Sequence, residues 1–323
     1  MADQTVQNGY DTSLVPTDEA YTYAKLAAVI DNLLARYPYL EVGTVGKSVM
    51  GKDILYLKLG KGAHSVCYNA SFHANENITT PVLLKFAEEL MQQYVAGEAL
   101  NGVYPRLLFE EFSLYLVPMV NPDGVDLVNG ALTQGESYNY AKRIGQQYPQ
   151  IPFPDGWKAN IEGVDLNLQF PAGWEKAREI KFAQGYTQPA PRDYVGPAPL
   201  IAPESRAMYD FTVDHDFELI LAYHTQGEVI YWKYLDYEPA QSRRIAEYFG
   251  RVSGYQVEQT PIASGYAGYK DWFIESYDRP GYTIEVGRGT NPLPMDQFPK
   301  IYADNLGILL GGMTELKNSS GEN

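Results

Sequence analysis

Apolar residues along the chain follow two patterns, one with the spacing of helices and one typical of buried strands. Helical spacing predicts helices at residues 17–37, 81–94, 203–214, 240–252 and 295–316. Alternating or continuous apolar runs predict strands at residues 40–45, 54–59, 66–71, 112–120, 217–223 and 282–286. Because strands alternate with helices, the sequence predicts an α/β fold, a parallel or mixed sheet with helices on both faces.

The middle of the chain, residues 130–205, has little periodicity and is rich in Pro, Gly and aromatic residues. A long irregular stretch inside a compact domain is usually functional. No internal repeat or linker divides the sequence. We therefore expect a single domain at residues 17–316, with an N-terminal tail at 1–16 and a C-terminal tail at 317–323.

Composition excludes several classes of partner. The 323 residues carry a formal net charge of −15, which argues against binding to nucleic acid or to an anionic membrane surface. Cys67 is the only cysteine, so no disulfide within the chain is possible, and its apolar setting predicts burial. The first residues lack the features of a signal peptide. We expect a cytoplasmic protein, or a secreted one if a signal precedes this sequence.

Three residues at predicted strand ends have the side chains of a zinc site. His73 and Glu76 follow the strand at 66–71, and His224 follows the strand at 217–223. Ligands of open α/β sheets bind at the carboxyl ends of the strands. Catalytic zinc commonly has two His and one Glu as ligands and keeps its fourth position for water. His64 precedes a predicted strand and His215 lies between two aspartates in a polar turn, so a surface location is expected for both.

Glu285 ends the last predicted strand and could serve as a general base beside the metal. The alternative is a structural carboxylate that forms an ion pair with Arg288 or Lys270. Other catalytic motifs are absent from the sequence: it has no G-x-S-x-G nucleophile elbow, no complete P-loop and no H-E-x-x-H zinc motif.

From about residue 22 to residue 309, the sequence resembles the zinc carboxypeptidases of the carboxypeptidase A type. The family's landmarks occur in order: GTVGKSVMGKDI, HANE, VNPDG, WKAN with GVDLN, AYHTQG, KDW and TIEVG. The resemblance implies an eight-stranded mixed sheet between helices and one zinc ion per chain. It also implies that His73, Glu76 and His224 are the zinc ligands and that Glu285 is the catalytic glutamate.

Two positions depart from the family pattern for trimming C-termini. Asn167 is followed by Leu168, where the family has an arginine that holds the terminal carboxylate with the asparagine. Leucine cannot replace such a two-pronged contact. Lys158 follows Trp157 and would stand in for the family's oxyanion-stabilising arginine, although a surface lysine is an equal alternative.

The substrate pocket carries a third departure. Lys270 corresponds to the base of the family's specificity pocket, where a lysine favours a substrate side chain that ends in a carboxylate. The family's cleft tyrosine has no clear match. Tyr266 and Tyr269 are the nearest candidates for substrate contact.

Within the family, WKANIEGVDLNLQFPAGWE and SGYAGYKDW are similar to the γ-D-glutamyl–L-diamino acid (meso-diaminopimelate) endopeptidases. The resemblance implies hydrolysis of that amide bond in peptidoglycan-derived peptides. One alternative is a carboxypeptidase that removes acidic C-terminal residues. Another is a non-catalytic peptide-binding module on the same fold. The sequence does not predict an oligomeric state.

Overall fold

Alternate residues of the central strands pack into two hydrophobic clusters on opposite faces of one sheet. Val66 and Tyr68 belong to the first cluster, whereas Cys67 between them belongs to the second and is fully buried. Helices pack against both faces of the sheet and complete the two clusters. The predicted burial of Cys67 is confirmed.

The computed structural model describes residues 12–317. The strands are β1 (Glu41–Lys47), β2 (Asp53–Leu59), β3 (His64–Ala70), β4 (Phe112–Val117), β5 (Phe217–His224), β6 (Val229–Tyr231), β7 (Gln256–Glu258) and β8 (Gly281–Glu285). The helices are α1 (Tyr23–Arg36), α2 (Thr79–Ala96), α3 (Pro105–Glu111), α4 (Pro122–Val128), α5 (Glu136–Gln147), α6 (Trp174–Ala183), α7 (Pro203–Asp214), α8 (Ser242–Ser253), α9 (Tyr269–Tyr277) and α10 (Phe298–Lys317).

The eight strands form one mixed sheet in the order β1-β2-β4-β3-β5-β8-β6-β7. Strands β4, β3, β5 and β8 run parallel at its centre, and antiparallel pairs join them to the flanking strands. The predicted α/β class and eight-stranded mixed sheet are confirmed. None of the helices in the described part of the chain is long and apolar enough to cross a membrane.

Several local predictions are wrong, and local hydrogen bonds explain two of them. The first helix begins at Tyr23 rather than at residue 17, because Thr22 caps it by accepting from the Lys25 amide. The predicted strand at 112–120 is shorter than expected, and Asn121 caps the first turn of α4 by accepting from the Gly124 amide. The irregular stretch at 130–205 contains α5, α6 and the start of α7.

Both predicted tails lie partly outside the described residues. Near the N-terminus, Val15 is only 3% exposed and belongs to the first cluster. The Leu14 amide donates to the buried Glu88 carboxylate of α2. The packed part of the chain therefore begins before Thr17. At the other end, α10 extends to Lys317.

The sheet register brings the predicted site residues together. Strands β3, β5 and β8 are adjacent and parallel, with Ala70 paired to Tyr223 and His224 paired to Glu285. The carboxyl ends of all three strands therefore meet at one edge of the sheet. Residues that follow Ala70 are brought next to His224 and Glu285.

Candidate metal centre and active-site cleft

His73, Glu76 and His224 converge on one buried point. The Nδ1 atom of His73 lies 3.0 Å from Oε1 of Glu76, and the Nδ1 atom of His224 lies 2.9 Å from Oε2. The two Nδ1 atoms are 3.2 Å apart. All ligand atoms of the group lie within 4.8 Å of one another, so one metal ion could contact all three side chains.

A sharp turn after β3 places His73 and Glu76 on the same side. Ser71 adopts a left-handed conformation with φ 51°, and His73 is still extended before the short 3₁₀ turn Ala74–Glu76. The Thr79 hydroxyl holds this turn closed, since it accepts from the Ser71 amide and donates to the Glu76 carbonyl. The predicted pair three residues apart therefore faces a single point.

This donor set fits zinc. Two imidazole Nδ1 atoms that face each other at 3.2 Å and share a carboxylate cannot form good hydrogen bonds to every neighbour. A cation between them would satisfy all three groups. Two imidazole nitrogens and one carboxylate are ligands that catalytic zinc uses.

Burial and nearby charges shift the pKa values of both histidines, in opposite directions. Burial lowers the pKa of His73, but the Glu76 and Asp165 carboxylates outweigh this effect and raise that pKa to about 9. Burial also lowers the pKa of His224, and for this residue burial prevails. In the metal-free protein, the His73 imidazole is therefore expected to be protonated at neutral pH.

Asp165 holds the far side of His73 but is not among the predicted site residues. Its Oδ1 lies 3.1 Å from His73 Nε2, and its Oδ2 accepts from the Asp193 amide at 3.0 Å. Metal-binding histidines commonly have such a carboxylate on the second ring nitrogen, where it fixes the orientation of the ring. In the sequence, Asp165 could have been recognised as the acidic residue of the GVDLN motif, two residues before Asn167.

Glu285 lines the same cleft at the end of β8. The alternative prediction, an ion pair with Arg288 or Lys270, is wrong, because Arg288 pairs with Glu228 and Lys270 pairs with Asp271. Burial is the largest cause and the nearby Glu76 charge the second in raising the pKa of Glu285 to about 8. A bound cation would act in the opposite direction to the charge of Glu76.

Lys158 also points into this group. Its Nζ lies 2.9 Å from Glu76 Oε1, and its side chain is 17% exposed, so the alternative of a surface lysine is wrong. Burial lowers the pKa of Lys158, yet the Glu76 carboxylate raises it above its ordinary value. A positive charge therefore stands beside the metal ligands.

Lys270 lines the cleft, but its ammonium group is already surrounded. Its Nζ lies 2.6 Å from Asp271 Oδ1 and donates to the Lys233 carbonyl at 2.7 Å. A third, long contact of 3.5 Å reaches the Thr260 hydroxyl. The charge at this end of the cleft is thus largely balanced by a buried carboxylate.

Tyr266 and Tyr269, the two candidates for substrate contact, do not line the cleft. Tyr269 is fully buried and its hydroxyl bonds to Thr212, so it does not reach the cleft; as the first residue of α9, it packs into the core. Tyr266 packs edge-on against Tyr234 and does not line the cleft. Asn167 does line it, and its Oδ1 accepts from the Tyr269 amide at 2.9 Å.

The cleft in front of the metal group has a volume of about 900 Å³. Residues from several loops line it as well as the strand ends. Four cationic side chains contribute to its walls: Lys158, Lys181, Arg192 and Lys270.

A fold and site of this kind define a zinc-dependent hydrolase. The family model of the zinc carboxypeptidases matches residues 26–307, and the chain belongs to this family. It is therefore a zinc metallopeptidase, as the resemblance of its motifs predicts.

Similar proteins support the same conclusion. The chain is 44% identical over 300 residues to gamma-D-glutamyl-L-diamino acid endopeptidase 1 of Lysinibacillus sphaericus, covering 93% of this chain and 74% of that protein. Its fold matches thrombin-activatable fibrinolysis inhibitor with a TM-score of 0.74 at 16% identity, over 95% of this chain and 77% of the other. Carboxypeptidase A of Helicoverpa armigera matches with a TM-score of 0.70 at 19% identity, over 97% and 78%.

Proposed function

We propose that this metallopeptidase hydrolyses the amide bond between a γ-linked D-glutamyl residue and meso-diaminopimelate, or a related L-diamino acid, in peptidoglycan-derived peptides. The observation that carries the hydrolytic part is the convergence of His73, Glu76 and His224 beside Glu285 in one cleft. The 44% identical relative, an endopeptidase named for this bond, supports the specificity.

The proposed metal ligands are Nδ1 of His73, a carboxylate oxygen of Glu76 and Nδ1 of His224, with one zinc ion per chain. When bound, zinc would polarise the scissile carbonyl and lower the pKa of a water molecule. Asp165 would keep His73 in the orientation that presents Nδ1, through its contact with Nε2.

Glu285 is the proposed general base and then general acid. Its carboxylate would take a proton from the attacking water and pass it to the nitrogen of the leaving amine. Burial raises the pKa of Glu285 to about 8, and a cation at the metal site would lower it, so that the carboxylate could take a proton and return it near neutral pH. The ammonium of Lys158 would face the negative charge that develops on the carbonyl oxygen.

The surroundings of Leu168 argue against ordinary C-terminal trimming. Its side chain packs in a small apolar cluster with Trp174, Ala177, Val195 and Ala267. No guanidinium therefore extends from this position beside Asn167. Asn167 keeps its place in the cleft and is a proposed substrate contact together with Lys270.

A carboxypeptidase for acidic C-terminal residues is the second candidate, because the cationic Lys270 lines the cleft. The non-catalytic binding module has no such observation in its favour, since the metal group and Glu285 are all present.

The test uses two murein-type peptides and one ordinary peptide. The first has γ-linked D-Glu followed by meso-diaminopimelate; the second carries one further D-alanine; the third is an ordinary peptide ending in glutamate. Mass spectrometry should show cleavage after D-Glu in both murein peptides, with the diaminopimelyl-D-alanine fragment released intact from the second. Removal of D-alanine alone, or cleavage of the ordinary peptide only, would refute the proposed specificity.

A further inference from the structure

Arg192 is the only arginine among the described residues that line the cleft. Its side chain is 44% exposed, and its Nε donates to Asp193 Oδ2 at 2.6 Å. In the described part of the chain, no protein atom accepts a hydrogen bond from its two terminal nitrogens. The outer edge of the guanidinium is thus open to a ligand.

The backbone on both sides of Arg192 is fixed to the metal centre. The Pro191 carbonyl accepts from the amides of Lys158 and Ala159, at 2.8 and 2.9 Å. The Asp193 amide donates to Asp165, the carboxylate that contacts His73. Arg192 therefore emerges at a set position relative to the reacting groups, which is what a substrate-positioning side chain requires.

Asp193 orients the guanidinium without using up the local positive charge. The Asp193 carboxylate accepts from Arg192 through Oδ2 and from the buried Lys181 through Oδ1, at 2.6 Å each. Two cations thus share one anion, and the group keeps a net positive charge. The two terminal nitrogens have the planar, two-pronged geometry that matches a carboxylate.

The other cleft cations are already engaged. Lys158 contacts Glu76, Lys181 contacts Asp193, and Lys270 is enclosed by Asp271 and the Lys233 carbonyl. Among these four side chains, only Arg192 offers two adjacent N–H groups without a protein acceptor.

We propose that Arg192 binds a carboxylate of the substrate through its terminal nitrogens and supplies the carboxylate contact that Leu168 lacks. This inference rests on the proposed function, because the γ-D-glutamyl–diaminopimelate unit carries free carboxylates on both sides of the scissile bond. One is the α-carboxylate of D-Glu on the acyl side, and the others belong to diaminopimelate on the amine side. The carboxylates on either side of the bond can accept the same two hydrogen bonds from a guanidinium.

The test combines variants with substrates that lack the free carboxylates on one side of the scissile bond. Arg192→Ala, Arg192→Lys and the surface control Arg143→Ala are assayed on the parent peptide. They are also assayed on a peptide whose D-Glu α-carboxylate is a carboxamide and on a peptide in which every free carboxylate of diaminopimelate is a carboxamide. Loss of a charged two-pronged contact should lower kcat/KM of Arg192→Ala about 10- to 100-fold on the parent peptide. Arg192→Lys should recover part of this loss, and Arg143→Ala should match the parent enzyme.

The decisive comparison is with the amidated peptides. Arg192→Ala should cause no further loss on the one peptide whose missing carboxylate Arg192 binds, and this peptide identifies the side of the bond. Zinc content and melting temperature should stay at parental values. An equal loss on all three peptides, or no loss on any, would overturn the proposal.

Failure of the proposed function is a separate outcome. If the parent enzyme cleaves only ordinary peptides, the same variants are compared on a peptide acid and its C-terminal amide. A loss of kcat/KM on the peptide acid alone would support Arg192 as a carboxylate-binding residue, although the proposed murein specificity would be refuted. Equal effects on acid and amide would overturn the Arg192 proposal as well.

Discussion

The metal group and the substrate end of the cleft are built differently. Neighbouring ligand atoms of His73, Glu76 and His224 lie 2.9 to 3.2 Å apart, and these residues end or directly follow adjacent parallel strands. At the substrate end, Arg192 and the Lys233 carbonyl that accepts from Lys270 belong to loops, whereas Lys270 and Asp271 lie in the first turn of α9. Strand register fixes the first region, whereas loops and the start of α9 shape the second.

This difference separates chemistry from specificity. A change in a loop can alter the shape and charge of the substrate end while the strand ends keep the metal group intact. Leu168 is an example of this division. It stands where the family has a carboxylate-binding arginine, but Asp165, three residues earlier, still contacts His73. The following predictions test whether the two regions are as independent as this division implies.

The largest effect is expected for loss of a metal ligand. His73→Ala should reduce bound zinc from one ion per chain to a small fraction and abolish hydrolysis, because two ligands cannot hold a catalytic ion firmly. Atomic emission measures the metal. His64→Ala, which alters a surface histidine paired with Glu218, is the matched control. Stoichiometric zinc in the His73→Ala variant would show that His73 is not a zinc ligand.

Glu285→Gln should separate metal binding from catalysis. The amide keeps the size of the side chain but cannot take a proton, so kcat should fall about 10³- to 10⁴-fold with zinc content unchanged. Steady-state kinetics and metal analysis on the same preparation provide both values. Glu258→Gln, at the exposed end of β7, serves as control. Turnover at the parental rate in Glu285→Gln would exclude the general-base role.

Asp165→Asn tests how far the metal group depends on its outer contact. The amide can still orient His73 but does not carry the negative charge, so zinc affinity should fall about 10- to 100-fold. Competition with a chelator measures the dissociation constant. An unchanged constant would mean that the strand-end residues alone determine the affinity.

Zinc uptake should depend on pH because the metal-free protein holds a proton on His73. Its pKa is raised to about 9, and zinc must displace this proton at any lower pH. Affinity should therefore rise about tenfold per pH unit from pH 7 and flatten near pH 9. Chelator competition at several pH values gives the slope. An affinity independent of pH across this range would contradict the assigned protonation.

Lys270→Met tests the substrate end by itself. Loss of the ammonium should raise KM for carboxylate-bearing peptides about fivefold, as expected for one partly screened charge, with zinc affinity unchanged. It also leaves the buried Asp271 without its cation, so stability should fall. Lys270→Met combined with Asp271→Asn should restore stability but not KM. A change in zinc affinity would show that the two regions are coupled.

The sequence predicts the metal group well because few residues determine it. Buried strands are recognisable as apolar runs, and parallel strands bring their carboxyl ends together, so His224 and Glu285 could be assigned to one edge. Helix α7 has the bounds that its pattern predicts. These features depend on local periodicity and on a general rule for sheets.

Other features depend on contacts that no local pattern encodes. Arg192 lies in an aperiodic segment, and its place in the cleft follows from backbone bonds to Lys158 and Asp165. Tyr269 sits beside a cleft residue in sequence, but as the first residue of α9 its side chain enters the core. Spatial neighbours, rather than spacing along the chain, decide both cases.

The most direct test of the central claim is hydrolysis of the γ-D-Glu–meso-diaminopimelate peptide by the protein before zinc removal, after removal with a chelator, and after addition of one equivalent of zinc. We expect cleavage after D-Glu to disappear with the metal and to return with one zinc ion per chain. Equal cleavage by the zinc-free protein, or no cleavage by the reloaded protein, would contradict the account.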